Sequence, residues 1–217
     1  MIKNKTYMNL SNYILQHIDP EDKILKELSR ETNLKKLMPR MLSGHLQGKI
    51  LEFLSKMIKP ENILEIGTFT GYSTICLAKG LTENGKIYTI EINDEHEEII
   101  NKYLQKANIS EKVKLIIGDA NDFIDNFDFN FDLVFIDGDK RQYLEYYKKI
   151  LQKVKIGGYI LADNVLWDGK VVEELQKSDE YTKGILEFNN FAANDLRVEK
   201  VILPVRDGIT IIRKISD

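Results

Sequence analysis

From residue 63 to residue 162 the sequence alternates short apolar runs with longer amphipathic ones, and few folds accommodate that rhythm. The apolar runs fall at 63–66, 86–90, 113–117, 133–136 and 159–162, with helical stretches near 71–81, 94–107, 119–125 and 141–153 between them. Near-continuous apolar strands separated by helices belong in a parallel sheet covered on both faces. The C-terminus breaks the rhythm. Residues 198–203 and 209–213 are separated only by Pro204-Val205-Arg206-Asp207-Gly208, which leaves no room for a crossover helix, so they are expected to pair antiparallel. The expected class is α/β, a Rossmann-like, mostly parallel seven-stranded sheet with a C-terminal antiparallel hairpin and helices on both faces.

The first sixty residues carry helical spacing instead. Leu10, Tyr13, Ile14 and His17 share one face, and Ile24, Leu25 and Leu28 continue the pattern after the Asp19-Pro20 break. A third helix is expected over about 44–58, with Leu46, Ile50, Phe53, Leu54 and Met57 at core spacing and Pro60 ending it. No repeat or Pro/Gly-rich linker interrupts the chain. The 217 residues suit a single domain, 1–60 as N-terminal helices and 61–217 as the Rossmann-like core.

Composition narrows the function. With 31 basic and 34 acidic residues well mixed, the net charge of −3 gives no electrostatic footprint for non-specific nucleic-acid binding. The single cysteine, Cys76, rules out an internal disulfide and sits in an apolar helical pattern as a small core residue. No apolar run approaches the roughly 20 residues that span a bilayer. The opening stretch has no apolar h-region, so the expected setting is cytoplasmic.

The segment Glu65-Ile66-Gly67-Thr68-Phe69-Thr70-Gly71-Tyr72-Ser73 follows the first strand and opens a helix. Glycines there allow a tight turn and close approach to a ligand, and the helix N-terminus offers unpaired N–H groups. Glu91 ends the second strand, where a carboxylate can accept both hydroxyls of a ribose. Asp119-Ala120, after the third strand, could meet an adenine; an N-cap of the next helix explains Asp119 equally well. The Gly-x-x-x-Gly spacing is not the Gly-x-Gly-x-x-Gly that cradles a pyrophosphate. It suits a ligand with a ribose and no phosphate, and an NAD-dependent oxidoreductase or a plain ligand-binding module is the weaker reading.

The fourth strand ends in Asp137-Gly138-Asp139-Lys140 and the fifth in Asp163-Asn164. Asp137, Asp163 and the Asn164 amide oxygen form a hard, oxygen-only set suited to Mg²⁺, although acids at strand ends also serve as caps and turn formers. A cation there could be chelated by two adjacent hydroxyls and lower the pKa of one. Lys140 could take the released proton; as an isolated residue it would be a surface lysine.

These residues resemble the cation-dependent O-methyltransferases, the caffeoyl-coenzyme A and catechol O-methyltransferases among them. The resemblance spans roughly residues 35–215 and rests on Met41-Leu42-Ser43, the Glu65–Ser73 turn, residues 88–93 and 137–140, Gly157-Gly158, residues 163–167 and residues 203–210. It implies the class I methyltransferase fold, with S-adenosylmethionine as donor and S-adenosylhomocysteine as product. It implies donor contacts at Ser43, Glu65, Gly67, Ser73, Glu91, Ala120 and Asp137, and a divalent cation (Mg²⁺, with Mn²⁺ or Ca²⁺ as substitutes) on Asp137, Asp163 and Asn164. Lys140 would be the general base, Asp139 would lie near the acceptor, and Trp167 could wall the acceptor ring or simply pack. A homodimer is also implied.

Two departures shape the acceptor. The donor-site pair often written Thr-Thr reads Leu42-Ser43, which keeps one hydroxyl. The insertions that form the acyl-coenzyme A pocket of plant members are missing around 126–130 and 168–180, which points toward a small catechol-like acceptor. The alternative within the family is a hydroxylated uridine of transfer RNA.

Overall fold

The computed structural model describes residues 2–217, with side-chain environments from residue 9 onward; Met1, counted in the N-terminal helical segment, lies outside the described residues. Seven strands, β1 (Asn62–Ile66), β2 (Lys86–Glu91), β3 (Val113–Ile117), β4 (Phe131–Ile136), β5 (Val154–Asp163), β6 (Val198–Leu203) and β7 (Ile209–Lys214), form one sheet in the order β3-β2-β1-β4-β5-β7-β6. Strands β1 to β5 pair in parallel, and β7 runs antiparallel to both β5 and β6. Only β7 is therefore reversed, and the chain order turns back at β1, opening a crevice at the carboxyl ends of β1 and β4.

Among the described residues eight α-helices accompany the sheet: α1 (Ile2–Gln16), α2 (Lys23–Lys35), α3 (Gly44–Ile58), α4 (Tyr72–Ala78), α5 (Glu97–Lys106), α6 (Ala120–Phe123), α7 (Tyr143–Lys153) and α8 (Glu180–Asn194). Alternate strand residues feed two cores. On one face Ile63, Leu133 and Phe135 pack with α2, α3, α4 and α5 through Leu28, Leu51, Ile75 and Ile100. On the other, Leu64, Val134 and Ile136 pack with α7 and α8 through Tyr147, Ile150, Ile185 and Phe188. Burying each such side chain contributes roughly 1.5–3 kcal/mol, which fixes register because a one-residue slip would exchange the faces.

Three local features differ from the sequence expectation. Helix α8, capped by the Asp179 side chain on Thr182 N, is an element the apolar rhythm did not announce; its buried face is Thr182, Gly184, Ile185, Phe188 and Ala192. Helix α3 has the expected bounds and an unexpected face. Gln47, Gly48, Leu51, Glu52 and Ser55 are buried, whereas Phe53 and Met57 stand in solvent. Helix α1 also leaves Leu10 and Tyr13 exposed, with His17 stacked on Tyr13 at 3.8 Å instead of entering a core. Leu25 and Leu28 of α2 are buried as expected. Cys76 is buried, its thiol pushed well above the ordinary range by desolvation. No helix among the described residues is long and apolar enough to cross a membrane.

Candidate active site

The turn from β1 into α4 is built around two positive-φ glycines, Gly67 (+93°) and Gly71 (+88°). Gly67 is required by contact: a Cβ there would lie 2.3 Å from the Asp137 carbonyl oxygen, so the ends of β1 and β4 approach as only glycine permits. Glu91 clamps this turn from β2. One carboxylate oxygen accepts from Phe69 N at 2.6 Å, and the other accepts from Asn93 N at 2.9 Å beside His96 Nδ1 at 3.3 Å.

Beneath the turn lies Glu65, fully buried, with Ser73 buried nearby in the first turn of α4. Desolvation pushes the Glu65 carboxyl up to about 7, against the pull of surrounding hydroxyls. Its Oε2 accepts from Thr89 Oγ1 at 2.6 Å and from Thr74 Oγ1, and the Ser73 hydroxyl also pulls on the carboxyl, while Oε1 makes no hydrogen bond of normal geometry among the described residues. A buried acceptor left open in a water-poor crevice suits a cationic amine of a ligand. Asp119, at the end of β3, is the N-cap of α6 and accepts from Asn121 N at 2.9 Å; Ala120 is buried behind it.

Strands β4 and β5 pair Ile136 with Ala162, and that register sets Asp137 beside Asp163 at the next step. Asp163 is 3% exposed, and burial followed by the charge of Asp137 pushes its carboxyl up to about 6. Two adjacent carboxylates, one of them buried, repel, and a divalent cation relieves that repulsion. Asn164, at φ +56°, follows directly and supplies an amide. Among the described residues no cluster of three or more His, Cys, Asp or Glu is suited to a metal. A cation here would rest on two carboxylates and one amide, a donor set that fits Mg²⁺.

Lys140 is buried against this pair. Its Nζ donates to Asp137 Oδ1 at 2.7 Å and to Tyr143 Oη at 2.5 Å, and Gly184 of α8 packs so closely that a Cβ there would meet the Lys140 carbonyl at 2.4 Å. The Tyr143 hydroxyl donates toward the carbonyls of Ile136 (3.1 Å) and Asp163 (3.0 Å), tying β4 to β5. Burial raises its pKa well above the ordinary value, so it stays protonated.

Asp139 and Trp167 meet through intermediates. The Asp139 carboxylate accepts from Arg141 Nε at 3.0 Å and from Arg141 Nη2, which holds its carboxyl below the usual range. The Arg141 guanidinium lies 4.9 Å from the Tyr181 ring centroid, and Tyr181 stacks on Trp167 at 6.1 Å and 13°. Asp139, Arg141, Tyr181 and Trp167 thus form one chain of contacts.

The remaining predicted residue, Ser43, is buried at the entry to α3, its carbonyl gripped by Arg206 Nη1. The sequence reading passed over Gln47, Arg141, Tyr143, Tyr181 and Arg206. Tyr143 carried a signal, since it follows Lys140 by three residues at the start of a helix; Arg206 lies in the 203–210 stretch that carries the resemblance but nothing there indicates its role, and Gln47 carried no signal, because the partners of both are distant in the chain.

The profile of the O-methyltransferase family matches residues 15–215. Caffeoyl-CoA O-methyltransferase 1 of Eucalyptus globulus is 38% identical, covering 95% of this chain and 90% of its own length. Caffeoyl-CoA O-methyltransferase 1 of Nicotiana tabacum is 39% identical, over 95% and 92%. Among solved structures, the O-methyltransferase from Bacillus cereus in complex with SAH superposes with a TM-score of 0.89 at 30% identity, covering 97% of this chain and 99% of that one. The O-methyltransferase TomG from Streptomyces achromogenes, solved with SAM and involved in tomaymycin synthesis, gives 0.88 at 28% identity, over 95% and 96%.

Proposed function

This chain belongs to the O-methyltransferase family, and from that premise we propose that it is a divalent-cation-dependent enzyme that moves the methyl group of S-adenosylmethionine to one hydroxyl of a small vicinal dihydroxy aromatic acceptor. The observation that supports the cation and acceptor is the β4–β5 register, whose last pair, Ile136 with Ala162, is followed on the two strands by Asp137 and Asp163, with the buried Lys140 bound to Asp137.

In this reading the donor lies along the carboxyl ends of β1 to β4. Glu91 accepts from its ribose hydroxyls, and the open Oε1 of Glu65 accepts from its amine. Gly67, Ser73, Asp119, Ala120, Ser43 and Asp137 line the rest of the donor site. Asp137, Asp163 and Asn164 hold the cation. When bound, the cation would supply the Lewis acidity that makes the reacting hydroxyl more acidic. Lys140, once it has given up its ammonium proton to solvent, would take the hydroxyl proton as the neutral amine. Trp167 and Tyr181 orient the ring, Asp139 borders it through Arg141, and the oxygen meets the methyl carbon in line.

We further propose a homodimer, supported by the exposed apolar side chains of Leu10, Tyr13, Phe53 and Met57, a single domain over residues 1–217, and a cytoplasmic setting, which the buried free thiol of Cys76 fits. Incubation of the protein with labelled S-adenosylmethionine, Mg²⁺ and a panel of catechols tests the acceptor. Label on a catechol supports it. Label on transfer RNA from a deletion strain, with none on the catechols, replaces it.

A further inference from the structure

Gln47 is 1% exposed on the inward face of α3, a place where apolar side chains are the rule. Its Nε2 donates to Asp163 Oδ2 at 2.6 Å, and its Oε1 accepts from Arg206 Nη1 at 3.0 Å. The partners make opposite demands. A carboxylate accepts and a guanidinium donates, so together they permit one of the amide's two orientations. Turned over, the amide would set oxygen against oxygen and NH₂ against guanidinium.

Arg206 is fixed in turn. The same Nη1 also donates to the carbonyls of Leu42, at 3.1 Å, and Ser43. Its backbone sits at φ +51° in the turn between β6 and β7, which Gly208 N closes on Val205 O at 2.9 Å. Residues with a Cβ seldom adopt that conformation, and such outliers concentrate at functional sites. One guanidinium therefore joins the hairpin turn, the segment that carries Ser43, and the amide that touches Asp163. The other oxygen of Asp163, Oδ1, accepts from Asn164 N at 2.8 Å. Each carboxylate oxygen takes one protein donor and keeps a lone pair for the site.

Resting on the cation site proposed above, we propose that Gln47 and Arg206 are positioning residues for Asp163: the guanidinium fixes the Gln47 amide, and the amide holds the carboxylate in its liganding orientation.

The test is Mn²⁺ binding to the full-length, EDTA-stripped protein, read from the electron paramagnetic resonance signal of free Mn²⁺ without donor or acceptor. Loss of a residue that orients a metal ligand typically weakens binding about 10- to 100-fold. Gln47→Met, which keeps length and burial, and Arg206→Ala are each expected to weaken Mn²⁺ binding about tenfold or more. Arg206→Lys should lose less, because an ammonium can still donate to the amide oxygen. The Gln47→Met/Arg206→Ala double variant should bind no more weakly than Gln47→Met alone, since Arg206 acts through the amide. Melting curves identify variants that hold the fold; if Arg206→Ala does not, Arg206→Lys and Gln47→Met carry the same comparison. Unchanged affinity in Asp163→Ala overturns the cation site itself. With binding lost in Asp163→Ala, wild-type affinity in the Arg206 and Gln47 variants overturns the positioning role alone, as does an additive loss in the double variant.

Discussion

The Lys140 ammonium lies 2.7 Å from the Asp137 carboxylate, across the short connection between β4 and the 3₁₀ segment that begins at Lys140. The proposed base and a proposed cation ligand thus form an ion pair that cation binding must exchange.

Replacement of Lys140 by Gln removes the proton acceptor and keeps the length of the side chain. Loss of a positioned general base costs about 10²- to 10⁴-fold, so kcat for Lys140→Gln should fall by that range while the KM for S-adenosylmethionine changes only a few-fold. Steady-state kinetics with donor and acceptor varied separately checks this. A kcat within a few-fold of wild type would remove Lys140 from proton transfer.

Gly67→Ala tests the close approach of β1 and β4. Its Cβ would sit 2.3 Å from the Asp137 carbonyl oxygen at a φ of +93°, so strain and overpacking coincide. The expected loss is roughly 2–4 kcal/mol of unfolding free energy, measured by urea denaturation, together with weaker binding of S-adenosylhomocysteine. Wild-type stability would show that the strand ends separate easily.

Glu65 gives the fold a pH dependence of definite sign. Its carboxyl is pushed up to about 7, against an ordinary value of 4.5. The folded state therefore holds the proton more tightly than the unfolded chain. That contribution is complete below about pH 4.5 and is lost as the pH rises through 7; the gap is worth about 3 kcal/mol. Glu65→Gln has no such titration. Relative to wild type, it should gain about that much unfolding free energy between pH 4.5 and pH 8 in the absence of donor. Urea titrations across that interval check it, and a constant difference would contradict it.

Glu91→Ala removes both the proposed ribose acceptor and the clamp on Phe69 N. A hydrogen bond to a charged group contributes about 1.5–3 kcal/mol, so calorimetry should find S-adenosylhomocysteine bound about 10- to 100-fold more weakly. Unchanged affinity would place the ribose elsewhere.

The strands, the glycine turn and the terminal hairpin were legible because each rests on local signals: apolar runs of strand length, glycines where φ turns positive, and a connection too short for a helix. Helix α8 was not, since Gly184, Asn189 and Asn190 dilute its helical spacing and its buried face becomes apparent only against α7. The face of α3 was misjudged for a related reason. Its inward side carries Gln47 and Ser55, which serve Asp163 and the Leu77 carbonyl, so apolar spacing pointed to Phe53 and Met57 instead. At the site, Asp137, Lys140 and Asp163 could be read from strand ends, because parallel sheets gather their chemistry there. The role of Arg206 could not, although it lies in the 203–210 stretch, since it reaches Gln47 across 159 positions.

The central claim is cation-dependent methyl transfer at Asp137, Asp163 and Asn164. It is tested most directly by following label transfer from S-adenosylmethionine to a catechol before EDTA, after EDTA and after Mg²⁺ is restored, in wild type and Asp163→Ala. The account predicts that EDTA abolishes turnover in wild type, that Mg²⁺ restores it, and that Asp163→Ala stays inactive throughout. Turnover that survives both EDTA and Asp163→Ala would contradict it.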